Sequence, residues 1–267
     1  MKILFLSLWL IFSGASSACK LNRPVVSLSG STTLALAGLH LLNDPNLKAI
    51  SVFHPVDSTM KIRRLPGGVF ISPRILSELG QATFIYDESL ELSKTLKQNK
   101  VDSIQIVTRG LTPYQAVELT LKKILPLLNK CDQQLENYQK LVNDKILNLK
   151  KKISRKLVMI FFLGEIRNGK YPNLIISNDG ISKWLREEQL IESYPSDLAY
   201  IQWSSKILSK LKFDYAIGIK DTGADLDKKI TSISKTDFNL FYPGALIPGE
   251  GQVDALNYFF KDFPPLP

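Results

Sequence analysis

Short apolar segments alternate with longer amphipathic segments along most of the chain. In the first half, four runs have the length and composition of buried strands, at 25–28, 49–53, 83–86 and 103–108. Helical spacing follows the first of them at 33–42, and Thr112-Pro113 opens another helix that reaches about residue 128. Strands that alternate with helices are typical of an α/β architecture.

The longest uninterrupted helical pattern runs from about residue 132 to 153. Its apolar residues recur at spacings of three and four, and Asp132 is a suitable N-cap. At ~1.5 Å per residue this helix is ~33 Å long. After it the strand and helix rhythm resumes, with strands predicted at 157–163, 174–177, 215–219 and 238–242, and a closing helix at 253–260.

An internal repeat supports a division into two similar halves. The pattern S-x-[RK]-I-L-S-x-L occurs at 72–79 and again at 204–211, each time just before a predicted strand. The alternative is two ordinary helix and strand units that share common residues. We expect an N-terminal α/β lobe at 19–128, a bridging helix at 129–155 and a C-terminal α/β lobe at 156–267.

The first 18 residues have the features of a secretory signal peptide. Lys2 precedes an apolar stretch of ten residues, 3–12, interrupted only by Ser7, and Ser16-Ser17-Ala18 places small side chains before the expected cleavage point. This predicts a periplasmic or otherwise exported protein. Cys19 follows directly, so a lipid anchor on Cys19 is a second interpretation, disfavoured because Ser16 replaces the aliphatic residue of a lipobox.

Composition limits the partners and the metal sites. The chain has 267 residues, a formal net charge of +9, two His and two Cys. A Cys₄ zinc site is excluded, and three-histidine metal sites have too few ligands. The positive charge raises nucleic acid or anionic lipid as partners. Much of it lies in the second half of the long helix without interleaved aromatic residues, which favours a solvated helix face over a nucleic-acid contact.

Enzyme motifs are weak. Residues 164–170 match G-x-x-x-x-G-K, but Tyr171 stands where a magnesium-binding hydroxyl is required and Pro172 obstructs the following helix. His40 and His54 are the only candidate histidine bases, and neither accompanies a nucleophile elbow. We therefore assign no catalytic residue, no metal ligand and no cofactor, and expect a protein that is not an enzyme.

Residues 24–39, P-V-V-S-L-S-G-S-T-T-L-A-L-A-G-L, resemble the first strand and helix of the periplasmic solute-binding proteins of ABC importers for cobalamin, haem and ferric siderophores. The resemblance extends in element order through 74–86, the long helix after Asn129-Lys130, 206–219 and Tyr242-Pro243-Gly244. It implies two Rossmann-like α/β lobes bridged by a single long α-helix, with a ligand cleft between the lobes.

With this fold, the ligand is expected at the carboxyl ends of the strands. Aromatic rings there can stack on a macrocycle, and Arg or Lys can pair with its carboxylates. In a haem interpretation, His54 or Tyr86 is a candidate axial iron ligand. The candidate ligand-binding residues are Ser29, Ser31, His54, Tyr86, Arg109, Tyr114, Arg167, Tyr171, Trp203, Lys220 and Tyr242. The resemblance implies a cobalamin-like (corrinoid), haem (porphyrin) or ferric-siderophore (metal-chelate) ligand.

The resemblance also implies a partner, the membrane permease of an ABC importer. Members of the family usually dock on the permease through a Glu in each lobe, and the aligned residues here are Arg74 and Lys206. A slipped alignment is one explanation of the inverted charge. If the alignment is correct, the positive charge at Arg74 and Lys206 fits a permease with acidic docking groups. It also fits a bilobed exported interaction or sensory protein that no longer delivers ligand to a permease.

The two cysteines are expected on one side of the N-terminal lobe. Cys19 precedes the first strand and Cys131 follows the last helix of that lobe, and in a parallel sheet both positions lie opposite the cleft. A Cys19 to Cys131 disulfide is therefore expected in an oxidising compartment. If Cys19 is lipidated instead, Cys131 must be free.

Overall fold

The structure is a computed structural model. It describes residues 19–52, 54, 60–65, 71–108, 110–153, 158–163, 174–177, 184–185, 187, 200–203, 215–220 and 248–259. The predicted signal peptide at 1–18 and the strand predicted at 238–242 lie outside these residues. No helix within the described part of the chain combines the length and the apolar character that a membrane crossing requires.

A parallel five-stranded sheet forms the centre of the N-terminal unit. Its order is β4-β3-β2-β5-β6, so the first long strand lies in the middle. The strands are β2 (Val25–Leu28), β3 (Leu47–Ser51), β4 (Arg64–Leu65), β5 (Thr83–Asp87) and β6 (Ser103–Ile106). Every neighbouring pair in this sheet is parallel, as the alternation of strands and helices requires.

Four helices connect these strands, and each begins at a hydroxyl N-cap. They are α1 (Gly30–Gly38), α2 (Pro73–Leu79), α3 (Leu90–Gln98) and α4 (Pro113–Ile124). Ser29, Ser72 and Ser89 accept hydrogen bonds from backbone N–H groups of the first turns of α1, α2 and α3. Thr112 forms a reciprocal capping box with Gln115 at α4. Because α1, α3 and α4 follow β2, β5 and β6, their N-termini lie at the carboxyl edge of the sheet.

The core is divided between the two faces of this sheet. Neighbouring residues of β5 alternate, so Ile85 belongs to one buried cluster while Phe84 and Tyr86 belong to the other. The first cluster includes side chains of α1 and α4, and the second includes side chains of α2 and α3. A sheet covered on both faces explains why its strands are almost continuously apolar.

A small antiparallel ribbon joins the N-terminus to the end of this unit. Strand β1 (Lys20–Leu21) pairs with β7 (Leu128–Asn129), which follows α4 and a 3₁₀ turn at Leu125–Leu127. Directly beside the ribbon, Cys19 and Cys131 form a disulfide with their Cα atoms 4.4 Å apart. The two cysteines therefore lie on one side of the unit, where the strand order led us to expect them.

Helix α5 (Asp132–Ile153) has the bounds that the apolar spacing predicts. Its residues Tyr138, Val142, Ile146 and Leu149 are buried in the first cluster, and they lie three or four positions apart. The opposite face is polar and mostly exposed. The face that packs on the N-terminal unit is therefore the face that the sequence pattern identifies.

The second half contains a mixed sheet of order β10-β9-β8-β11. The strands are β8 (Val158–Leu163), β9 (Leu174–Ser177), β10 (Tyr200–Trp203) and β11 (Tyr215–Lys220). Strand β11 is parallel to β8, whereas β9 is antiparallel to both β8 and β10. Strand β10 was not predicted, and it precedes the second copy of the repeat.

The last helix, α6 (Glu250–Phe259), packs on the N-terminal unit. Its residues Val253, Ala255 and Leu256 belong to the first buried cluster, and the helix contacts α1, α4 and α5. We expected all of 156–267 to form the C-terminal lobe. By its packing α6 belongs with the N-terminal unit instead, because the apolar face of α6 is buried against helices of that unit.

Candidate functional site

The carboxyl edge of the first sheet collects the polar residues that sequence analysis singled out. Ser29 follows β2, His54 follows β3, and Tyr114 lies in the first turn of the helix that follows β6. Parallel strands end at a common edge, so the loops after them converge there. This carboxyl edge is the candidate ligand-binding surface.

A buried chain of hydrogen bonds runs from β2 to His54. Ser27 Oγ lies 2.8 Å from Thr33 Oγ1, and Thr33 Oγ1 lies 2.6 Å from His54 Nδ1. Burial, helped by the positive charge of Arg64, lowers the pKa of His54 to about 4. At neutral pH the imidazole is therefore uncharged and can act as an acceptor or a metal ligand.

A second polar group surrounds the N-terminus of α1. Gly30 N–H donates to Asp87 Oδ2 at 3.2 Å, and Ser29 Oγ lies 3.0 Å from Ser31 Oγ. Ser31 Oγ also lies 3.2 Å from Thr120 Oγ1, whose hydrogen is donated to the carbonyl oxygen of Ala116 at 2.7 Å. Burial raises the pKa of Asp87, because the loss of hydration outweighs its hydrogen bonds from Ser29 and Gly30. Asp87 Oδ1 is buried and has no hydrogen-bond partner among the described residues.

Four apolar side chains are exposed at the strand ends and helix starts of this edge, and one of them, Tyr114, also lines a groove between α4 and α5. Val52 follows β3, Val107 follows β6, Leu90 begins α3 and Tyr114 lies in the first turn of α4. Their exposed fractions are 47%, 44%, 88% and 50%. We call these four residues the apolar rim. Exposed apolar groups clustered at one edge mark a binding surface more often than scattered single residues do.

Tyr86 is not part of this surface. It precedes the last residue of β5, and its ring is buried in the second cluster with only 4% exposed. Side chains alternate along a strand, so Tyr86 points into the packing of α2 and α3 against the sheet. This packing places the ring of Tyr86 away from the carboxyl edge, and a role of Tyr86 as a ligand or axial iron contact stays a prediction.

In the second sheet, the register brings Trp203 and Lys220 to one edge. Lys220 pairs with Leu163, Leu163 with Leu174, and Leu174 with Trp203. Trp203 and Lys220 are therefore the last residues of the two outer strands, β10 and β11. Three strand spacings of ~4.8 Å separate their backbones, a distance of about 14 Å. The remaining candidates, Arg109, Arg167, Tyr171, Lys206 and Tyr242, lie outside the described residues.

Arg74 lies on the exposed face of α2, with 88% of its side chain accessible. Its Nε is 3.1 Å from Glu78 Oε1, and Arg63 binds the other oxygen of the same carboxylate at 2.7 Å. Hydrogen bonds from Arg63 and Arg74 lower the pKa of Glu78. Two guanidinium groups share one carboxylate, so this face carries one excess positive charge.

Sequence reasoning missed Asp87, Thr33 and three members of the apolar rim, Val52, Leu90 and Val107. Asp87 could have been predicted from the sequence, because it directly follows the strand predicted at 83–86 and so lies at the carboxyl end where the ligand is expected. Val52 and Val107 were assigned to predicted strands, and each of these strands ends two residues earlier in the structure. No group of three or more His, Cys, Asp or Glu side chains in the described ranges is arranged to hold a metal ion.

Comparison with known proteins gives a clear result for the fold. No protein-family model matches the sequence, and no curated protein matches it. Among solved structures, the periplasmic heme-binding protein HutB of Vibrio cholerae is 15% identical, with a TM-score of 0.67 over 91% of this chain and 99% of that one. The periplasmic heme-binding protein BhuT, solved with two hemes, is 9% identical, with a TM-score of 0.68 over 90% and 97%.

The petrobactin-binding protein YclQ from Bacillus subtilis is 13% identical, with a TM-score of 0.66 over 91% of this chain and 90% of that one. The superpositions extend over nearly the whole of both chains, so the likeness includes the order of elements in both halves. The chain therefore has the α/β fold of the periplasmic heme-binding and siderophore-binding proteins.

Proposed function

We propose that this chain is an exported solute-binding protein that binds an iron chelate or a porphyrin and delivers it to the permease of an ABC importer. The observation that carries the proposal is the fold, which is shared over about nine-tenths of the chain with binding proteins for heme and petrobactin. In this proposal the ligand lies in a cleft between two lobes, against the carboxyl edge of the first sheet.

The chemistry of that edge supports a large, partly apolar ligand. Three exposed aliphatic side chains and the ring of Tyr114 offer a surface for a macrocycle or for the hydrocarbon arms of a chelate. Beneath them, Ser29, Ser31 and Thr120 are buried and hydrogen-bonded to one another. Such a floor is rigid, and a rigid surface loses little conformational entropy on binding.

The disulfide supports export. Cys19 and Cys131 close a loop over a separation of 112 residues, and disulfides persist in oxidising compartments. A sulfur in a disulfide cannot also carry a thioether lipid, so the disulfide favours a soluble exported form over the lipid-anchored alternative. The signal peptide at 1–18 stays a prediction.

Docking to a permease is proposed at Arg74 in the first half and Lys206 in the second. The exposure of Arg74 and the excess positive charge shared with Arg63 suit a partner with acidic groups. The same inverted charge is the one observation that favours the alternative, an exported interaction or sensory protein. Uptake of labelled ligand by cells that carry the wild-type chain or Arg74→Glu separates transport from the alternative. If the protein delivers ligand to a permease, Arg74→Glu should abolish uptake but keep ligand binding. Absence of uptake with the wild-type chain would support the alternative.

Ligand binding is tested by titrating the chain with ferric haem, cobalamin and a ferric siderophore, followed by absorbance and tryptophan fluorescence. We expect saturable binding of at least one of them. Val107→Glu places a carboxylate in the apolar rim and should raise the dissociation constant at least about tenfold, which is about 1.4 kcal/mol. Leu147→Glu, at a similarly exposed position on α5, is the matched control and should leave binding unchanged. Failure to bind any of the three contradicts the proposal.

A further inference from the structure

The edge of the first sheet opposite the carboxyl edge carries a concentration of positive charge. Strands begin and helices end there, and the segments at that edge include 19–24, 40–48, 80–82, 99–102 and 122–132. We call the surface of these five segments the basal face. Its exposed lysines are Lys20, Lys48, Lys100, Lys122, Lys123 and Lys130.

Hydrogen bonds join segments of the basal face that are far apart in the chain. Leu21 N–H donates to Asp44 Oδ2 at 2.9 Å, and the side-chain amide of Asn22 donates to the carbonyl oxygen of Pro126 at 2.9 Å. Strand β1 also pairs with β7, which places Lys20 opposite Asn129. The segments that carry these lysines therefore belong to one surface.

The acidic groups of the basal face do not balance its lysines. Its three acidic residues are Asp44, Asp102 and Asp132. Asp44 accepts hydrogen bonds from two backbone N–H groups, and Asp102 accepts from Thr83 Oγ1 at 2.7 Å and pairs with Arg23 at 3.4 Å. Two of the three carboxylates are thus engaged by other groups, and the exposed lysines remain in excess.

Two of the lysines occupy backbone positions that favour glycine. The φ angle is 54° at Lys100 and 56° at Lys130, in the left-handed region that L-residues seldom adopt. At the end of α3, Lys100 N–H donates to the carbonyl of Lys97 and Val101 N–H donates to the carbonyl of Leu96, which is a Schellman motif. Glycine is the usual residue at this position, so a lysine there indicates a use for its side chain.

An apolar side chain lies among these charges. Leu125 is 50% exposed in the short turn that follows Lys122 and Lys123. The five segments contain no Phe, Tyr or Trp, whereas proteins that hold single-stranded nucleic acid stack its bases on aromatic rings. Lysines around an exposed leucine fit the interface of an anionic lipid bilayer better.

We propose that the basal face binds an anionic membrane surface, with its lysines at the lipid phosphates and Leu125 in the interfacial layer. Cys19 directly follows the predicted signal peptide, and its disulfide to Cys131 holds it on this face. The carboxyl edge lies at the other end of the strands and stays accessible to a ligand while the basal face is bound. The inference goes beyond the proposed function and requires no particular ligand.

Flotation of the exported chain with lipid vesicles tests the inference. Vesicles of phosphatidylcholine with about one-third phosphatidylglycerol should bind the chain, and binding should weaken at least about tenfold between ~50 mM and ~300 mM NaCl. Vesicles of phosphatidylcholine alone should not bind it. Combined Lys122→Gln and Lys123→Gln should weaken binding at least about tenfold, since each lysine contributes about fivefold. Combined Lys94→Gln and Lys140→Gln is the matched control, because both lysines are exposed but lie outside the basal face.

The strained lysines give an independent readout. Combined Lys100→Gly and Lys130→Gly relieves two left-handed backbones and removes two charges, so Tm should rise while vesicle binding weakens at least about tenfold. A rise in Tm excludes unfolding as the cause of weaker binding.

The exposed leucine is tested in the same assay. Leu125→Ser should weaken vesicle binding about fivefold without changing its dependence on salt. Leu147→Ser, on α5, is the matched control at 52% exposure and should bind vesicles as the wild-type chain does.

The outcomes are distinct from those of the ligand titration. Equal binding to vesicles with and without phosphatidylglycerol, or equal effects of the two pairs of Lys→Gln changes, would overturn the inference. A single-stranded oligonucleotide bound as tightly as the anionic vesicles would also overturn it and would assign the face to nucleic acid. The titration with haem, cobalamin and a ferric siderophore contains no vesicles, so either result stands or fails without the other.

Discussion

A partly buried ion cluster joins the last helix to the long helix, and removing its cation should destabilise the protein measurably. Lys145 Nζ lies 2.6 Å from Glu250 Oε1 and 3.0 Å from Asp254 Oδ1, and Tyr138 donates its hydroxyl hydrogen to Glu250 Oε2 at 2.6 Å. Lys145→Met leaves two carboxylates without their counter-ion. Breaking a fully buried pair costs about 3–5 kcal/mol. Since 28% of the Lys145 side chain is exposed, we expect a loss of about 2–3 kcal/mol after allowing for solvent screening.

The pH dependence of this loss gives a sharper test. Burial raises the pKa of Asp254, and Lys145 opposes that shift. Without Lys145 the pKa of Asp254 in the folded protein rises further above its unfolded value. The stability contribution of such a group is complete below the unfolded pKa and is lost as the pH rises through the folded pKa. The deficit of Lys145→Met should therefore be larger at pH 7 than at pH 5.

Thermal unfolding at both pH values, followed by circular dichroism, measures this effect. A loss of about 2–3 kcal/mol corresponds to a fall in Tm of about 5–10 °C for a chain of this size. Lys140→Met, at an exposed position of the same helix, is the control and should change Tm by less than about 2 °C. Equal losses for the two variants, or a deficit that does not depend on pH, would refute the reasoning.

Two further predictions concern the N-terminal unit. Replacing both Cys19 and Cys131 by Ser opens a loop over 112 residues, and chain entropy predicts a loss of about 5 kcal/mol, measurable by urea unfolding; unchanged stability would mean that the disulfide is absent from the isolated protein. Burial raises the pKa of Asp87 and so penalises its charged form, which lowers the stability of the wild-type chain as the pH rises from 4 to 7. Asp87→Asn should therefore raise Tm at pH 7 and make Tm decrease less between pH 4 and pH 7. A lower Tm at pH 7 would show that the charge of Asp87 is needed.

The sequence was sufficient for features that repeat along the chain. Helix α5 was predicted correctly because its apolar residues follow one stripe over 22 residues. The central strand β2 was predicted as well. A short apolar run followed by Ser and Gly indicates a strand that is followed by a capped helix, as β2 is by Ser29 and α1. Both features depend only on local spacing.

The sequence did not predict which face of a strand a single side chain lies on, or contacts between residues far apart in the chain. Tyr86 and Asp87 are adjacent, yet only the position of β5 in the sheet decides that the aromatic ring is buried and the carboxylate lies at the edge. Strand β10 has only four residues, too few to show a clear alternation, and is defined by pairing with β9. The packing of α6 on the N-terminal unit buries Val253 and Leu256 and joins Glu250 to Lys145, 105 positions away, so no local spacing indicates it.

The central claim, that an iron-containing ligand binds at the carboxyl edge of the first sheet, is tested most directly by hydrogen exchange with and without ferric haem. Binding there should slow exchange in the segments that form the edge, at 28–33, 51–54, 87–91 and 106–114. The exposed face of α2 around Arg74 and the outer turns of α5 should exchange at unchanged rates. Unchanged exchange at the edge under saturating haem, or protection confined to α2 or α5, would contradict the account.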